Sequence, residues 1–233
     1  MNPVLIFRHI ACEGPAYLSE FLAKANIPYQ IIRIDEGEKV PENTEKISGL
    51  IFMGGPMSVN DSLPWIEPEL KLIRQAHESG LPVLGHCLGG QLISKALGGD
   101  VVRNKVTEIG WFPVVPVDSV EAPEWLHTLS YETEIFHWHG ETFSLPNRAI
   151  PLFTNGFCQN QGFILQNTLA LQCHVEMQHD DIREWLSFYK TDIPLPSASV
   201  QSPETIVDNL EQRIKLLHKF ADVLYSHWLT GFK

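Results

Sequence analysis

Pro82-Val83-Leu84-Gly85-His86-Cys87-Leu88-Gly89-Gly90-Gln91 is the stretch whose reading decides the fold. A short apolar run after Pro82 leads straight into a cysteine. Leu88, Leu92, Ile93, Ala96 and Leu97 then fall at helical spacing, and Gly98-Gly99 ends that helix. A strand that meets a helix through one residue holds that residue on a tight turn, with its side chain out of the sheet. The N-terminus of a helix carries roughly half a positive charge. That field favours thiolate over thiol, and thiolate is the reactive form. Gly85 and Gly89 set no side chain beside the turn, so the spacing predicts room for a substrate near the sulfur and the helix amides. Taken alone, the turn also admits a buried structural cysteine.

Working outward, apolar runs alternate with helical patterns. Val4-Leu5-Ile6-Phe7, Tyr29-Gln30-Ile31-Ile32-Arg33 and Leu50-Ile51-Phe52-Met53 read as strands, the last ending in Gly54-Gly55-Pro56. Residues 16–25 and 67–78 read as helices. Such alternation predicts an α/β fold: a mixed, mostly parallel central sheet with helices on both faces. Function in such sheets gathers at the carboxyl ends of the strands, where Gly54-Gly55 and Cys87 both fall.

The texture changes after Gly110. Residues 110–117 and 134–139 read as strands without long helices between them, and 162–166 with 169–174 read as a hairpin. This half is expected to add antiparallel or edge strands to the mixed sheet. A Pro/Ser-rich link covers 193–203, and one long helix is expected from 204 to 233. Ser202 can cap it, and Pro203 suits its first turn. Ile206, Leu210, Ile214, Leu217, Ala221, Leu224 and Trp228 form one apolar stripe, which docks on the domain or pairs two copies in a homodimer. The organisation is thus a domain over 1–192, the link, and a packed helix.

Composition excludes several function classes. The 233 residues are 44% hydrophobic and 19% charged, as in a globular protein with a full core. A net charge of −11 argues against nucleic acid or an anionic membrane as partner. No apolar stretch approaches the roughly 20 residues of a membrane helix, and the first residues lack the basic region of a signal peptide. A cytoplasmic protein is expected. Cys12, Cys87, Cys158 and Cys173 include no CxxC pair.

A thiol nucleophile needs a base, and the base needs an orienting partner. Leu169-Ala170-Leu171-Gln172-Cys173-His174-Val175-Glu176 supplies both. Alternate residues of a strand share a face, so Ala170, Gln172, His174 and Glu176 lie together, opposite an apolar set. His174 and Glu176 would emerge side by side at a strand end. Taken alone they also read as a solvated pair. Acyl transfer further needs donors for a developing oxyanion. The N–H groups of Gly55 and Leu88 are the candidates, against a plain turn at Gly54-Gly55-Pro56.

Together these residues resemble the class I, or triad, glutamine amidotransferases. The pattern G-x-C-x-G-x-Q stands here as Gly85-His86-Cys87-Leu88-Gly89-Gly90-Gln91, and the His-x-Glu end as His174-Val175-Glu176. Gly54-Gly55-Pro56-Met57-Ser58 is similar to the family's oxyanion strand. Phe136-His137-Trp138-His139-Gly140-Glu141 is similar to the substrate-facing segment of the amidotransferase part of GMP synthase, and 107–114 resembles the free-standing branch. The resemblance implies a flavodoxin-like sheet with Cys87 as nucleophile, His174 as base and later acid, and Glu176 as orienting carboxylate. It implies that Gly54, Gln91 and the backbone near Gly55, Trp138 and His139 hold the glutamine end. No metal or organic cofactor is implied. The partner is glutamine or a γ-glutamyl compound, and a separate synthetase subunit could accept the ammonia. Two positions depart from the pattern: His86 replaces an aliphatic residue, and Val175 replaces a common proline.

Rival readings remain. His137, His139, His174 and His179 could serve a metal hydrolase, but no carboxylate set at metal spacing accompanies them in the sequence. A γ-glutamyl peptide or conjugate hydrolase would use the same thiol. A binding or regulatory module could keep the fold without the chemistry.

Overall fold

The computed structural model describes residues 2–118, 123–129 and 134–232, so Met1, 119–122 and 130–133 of the expected 1–192 domain and Lys233 of the expected helix lie outside the described residues. The strands β1 (Val4–Arg8), β2 (Tyr29–Arg33), β3 (Gly49–Phe52) and β4 (Val83–His86) alternate with the helices α1 (Ala16–Lys24), α2 (Ile66–Glu78) and α3 (Leu88–Ala96). The next elements are β5 (Val101–Pro113), β6 (Val115–Pro116), β7 (Glu134–Phe143), β8 (Ile150–Thr154), β9 (Gly162–Leu165) and β10 (Thr168–Leu171). The last are α4 (His179–Phe188), α5 (Pro203–Val207) and α6 (Leu210–Leu229).

The main sheet runs β2-β1-β3-β4-β10-β9-β8-β6. Its first five strands are parallel, and β9, β8 and β6 follow antiparallel. The parallel strands are in the flavodoxin-like order. Val4–Phe7 and Gly49–Phe52 are buried throughout, as strands covered on both faces must be. Two separate apolar clusters record those faces: α1, α4 and α6 pack on one, and α2 and α3 on the other.

Three expectations need correction, and two elements were not expected. β5 and β7 do not join the main sheet: they form a separate two-stranded ribbon. The strand expected at 110–117 is two, because β5 begins at Val101 and stops at Pro113 before the short β6. A helical pattern at 179–188 and a strand at 150–154 went unread, and both are built. The single C-terminal helix is broken in two at Asp208-Asn209, where Asn209 adopts a left-handed φ of 49° that no α-helix continues through. Ser202 does cap α5, its side chain accepting the Thr205 N–H over 3.3 Å. Every residue of the expected stripe is buried within the chain's own core, so the stripe offers no face to a second copy.

Candidate active site

The carboxyl ends of four parallel strands converge. β4 delivers Cys87, β3 delivers Gly54-Gly55, β10 leads to His174, and the loop after β1 brings Glu13. Cys87 caps α3 with φ 49° and ψ −107°, a conformation that costs a non-glycine residue free energy. Backbone bonds fix it there: its N–H donates to Leu171 O (2.8 Å), and its carbonyl accepts from Gln91 N (2.9 Å). Leu88 opens α3, so the helix itself cannot use its N–H.

Gly85 and Gly89 serve backbone packing, which corrects the expectation of substrate clearance. A Cβ on Gly89 would strike the Phe52 carbonyl, and one on Gly85 would strike the backbone of Gly89 and Gly90. The absent side chains let α3 lie directly against β3 and β4.

The thiol is buried to 6% exposure, directed at the Trp138 carbonyl (3.7 Å) and accepting from Gln172 Nε2 (3.6 Å). Gln91 Nε2 in turn donates to Gln172 Oε1 (3.3 Å). β10 ends at Leu171, earlier than expected, but the chain stays extended through an antiparallel bridge between His174 and Phe136. His174 Nδ1 and Glu176 Oε1 are 2.7 Å apart, both buried, so the expected pair forms. Trp185 meets the His174 ring edge to face. Burial works against charging His174, but Glu176 and the adjacent Cys87 sulfur outweigh it and raise its pKa well above the ordinary value. Burial likewise opposes the Glu176 charge, but the His86 and His174 rings hold its carboxyl at about 2. A thiol beside a charge-stabilised imidazole, itself oriented by a carboxylate, can exchange a proton and attack a carbonyl.

A cleft of about 580 Å³ opens over the thiol, lined by Gly55, Gln91, Trp138 and His139 among others. Gly54 lies deeper, its missing Cβ directed at Glu13 and, at 3.1 Å, at His174 Cε1. Leu88 is fully buried beneath the turn, with its side chain against Gly55.

A model of the glutamine amidotransferase class-I family matches residues 16–189. The chain belongs to the class I glutamine amidotransferases. A crystal structure of a glutamine amidotransferase from Methylobacillus flagellatus superposes with a TM-score of 0.95 at 39% identity, covering 100% of this chain and 96% of that one. The glutamine amidotransferase-like protein YfeJ of Salmonella typhimurium is 30% identical over 62% of this chain and 63% of its own length. A glutamine-hydrolyzing GMP synthase of Clostridium kluyveri is 32% identical over 67% of this chain but only 29% of the synthase. The chain thus matches less than two thirds of either curated relative.

Within this amidotransferase fold, His86 bonds with Tyr225 OH of α6 (3.0 Å) and stands 3.7 Å from the Glu176 carboxylate, and burial lowers its pKa. Val175 is a core residue. Three neighbours escaped sequence reading. Glu13 is buried, accepts from Tyr189 OH (2.6 Å) and lines the cleft. Burial pushes its pKa up, against the pull of His174. Gln172 had a signal, since it shares the strand face of His174. Glu108 of β5 lies with His137 and His139, supplying the carboxylate that the sequence did not reveal at metal spacing. His174 and His179 are not part of that group.

Proposed function

We propose that the chain is a hydrolase of the glutamine amidotransferase type, cleaving a γ-glutamyl amide through a cysteine thioester. The observation that supports it most is the strained Cys87 turn, set beside His174 with Glu176 2.7 Å behind the imidazole. In this reading the Cys87 sulfur attacks the γ-carbonyl carbon. The N–H groups of Gly55 and Leu88 receive the developing oxyanion. His174 then protonates the departing nitrogen, and ammonia leaves. Water adds to the glutamyl thioester with His174 as base, glutamate departs, and the thiol is restored. Glu176 orients the ring and stabilises its charge without taking the proton. Gly54, Gln91 and the backbone near Gly55, Trp138 and His139 hold the substrate's glutamyl end. Neither metal nor organic cofactor takes part in these steps.

Kinship with GMP synthase supports delivery of ammonia to a separate synthetase subunit. The size of the cleft, about 580 Å³, favours a second reading in which a larger γ-glutamyl peptide or conjugate is cleaved. Four unpaired cysteines fit a reducing cytoplasm. Among the described residues no helix is long and apolar enough to cross a membrane.

A substrate screen tests the proposal. Ammonia or amine release is measured with L-glutamine, γ-glutamyl peptides and γ-glutamyl amines, for the parent and Cys87→Ala. Release by the parent alone supports the reading. Equal rates refute the nucleophile, and no release from any substrate favours a binding module.

A further inference from the structure

Behind the cleft wall lies a second polar group whose side chains the hydrolytic reading leaves without a task. Glu108 of β5 and His137 and His139 of β7 each present one donor atom, and the three atoms lie within 4.8 Å of one another. All three residues are buried, Glu108 and His137 completely. His139 Nε2 stands 3.0 Å from Glu108 Oε2, and a His137 nitrogen stands 3.7 Å from Glu108 Oε1.

Hydrogen bonding accounts for Glu108 and His139 but not for His137. Neither ring nitrogen of His137 has a hydrogen-bond partner. A buried polar atom left so is costly. His139 Nδ1 faces the Glu141 carbonyl at 2.9 Å, which requires a proton on that nitrogen. With Nδ1 so engaged, Nε2 is the nitrogen turned toward the carboxylate. A cation serves a lone pair and a carboxylate together.

The surroundings are those of ligands held in place. Asn155 and Gln161 donate to the two Glu108 oxygens, the latter over 2.8 Å. The Glu141 carbonyl fixes the His139 tautomer. Outer hydrogen bonds of this kind orient metal-bound histidines and carboxylates.

We propose that Glu108, His137 and His139 bind one divalent transition-metal ion, zinc by the chemistry of the donors. Two imidazoles and a carboxylate suit zinc, with water in the fourth position. The ion ties the two strands of the β5–β7 ribbon together, while Asn155 and Gln161 hold Glu108 to the segment between β8 and β9. That ribbon also supplies the Trp138 carbonyl at the Cys87 sulfur. The role is structural and independent of the hydrolytic reading.

The experiment uses the full chain without an affinity tag, dialysed against metal-free buffer, then given zinc sulfate or cobalt(II) chloride. Elemental analysis should find one zinc per chain. A hundredfold excess over Kd should raise Tm by roughly 5–10 °C. Bound cobalt should show four-coordinate visible absorption without a thiolate charge-transfer band. Glu108→Gln and His137→Leu should lose the ion and the Tm shift, while Cys87→Ala keeps both. Leucine leaves no unpaired buried nitrogen, so metal-free His137→Leu should melt no lower than the metal-free parent, which separates loss of metal from loss of fold. Absence of zinc from the parent overturns the proposal. So does zinc retained by His137→Leu, or zinc lost in Cys87→Ala, which would place it on the thiol.

Discussion

Replacing Glu176 by glutamine removes one charge from a buried pair and leaves the shape nearly unchanged. The Glu176 carboxyl titrates at about 2 in the folded chain, against 4.5 ordinarily. A depressed carboxyl contributes stability that is present above its unfolded value and is lost as pH falls through the folded one. The gap between 4.5 and 2 corresponds to roughly 3 kcal/mol, of which about 2 kcal/mol is gone by pH 3. His174 works in the opposite sense. Its raised pKa contributes stability that is present below the unfolded value near 6.5 and is lost as pH climbs through the folded one. The parent's advantage over Glu176→Gln is therefore largest between about pH 4.5 and 6.5. Urea unfolding at pH 6 and pH 3, followed by tryptophan fluorescence, measures it. The parent should lose about 2 kcal/mol more than the variant between those two pH values. In turnover the variant forfeits a charge-assisted hydrogen bond of about 1.5–3 kcal/mol, or roughly 10- to 150-fold in kcat. His174→Ala should cost more, because it removes the group that moves the proton. Equal acid sensitivity of parent and variant, or an undiminished kcat, would refute the pairing argument.

Two further outcomes follow from packing and burial. Gly89→Ala drives a Cβ into the Phe52 carbonyl and to 2.8 Å from Phe52 Cβ, so α3 must lift from β3. The cost of about 1–3 kcal/mol should appear as a Tm lower by several degrees, and an unchanged Tm would show that the layers have slack. Burial pushes the Cys12, Cys158 and Cys173 thiols up in pKa. A glutamine-like electrophile should thus label Cys87 first in a brief exposure read by mass spectrometry, and equal labelling of all four would count against it.

The parallel half of the fold was legible because its signals are local. Val4–Phe7 and Gly49–Phe52 are apolar on both faces, as strands inside a helix-covered sheet must be. The exposed part of β5 was missed because its first residues are open to solvent: Val102, Arg103, Lys105 and Val106 are exposed, and only Glu108–Trp111 is buried without interruption. The sequence window therefore caught the buried end and missed the exposed one. The break at Asn209 was invisible to periodicity, because Ile206 and Leu210 keep the four-residue step on either side of it. Hydrophobic spacing reports which residues face the core, and it does not report whether the backbone between them is continuous.

The site divides along the same line. Cys87, His174 and Glu176 could be read because each sits in a short pattern whose geometry is set within a few residues. Glu13 and Glu108 could not. Glu13 acquires its setting from Tyr189, 176 residues away, and Glu108 from His139, 31 residues away across the ribbon. Both are buried carboxylates, a setting that a glutamate does not occupy without partners. No local pattern could have assigned it to them, since a glutamate in a loop or on a two-stranded ribbon is exposed by default. A buried carboxylate is thus the feature that a fold adds to a motif. Here the fold adds one in the cleft that holds the thiol and one behind the cleft wall, where two imidazoles face it.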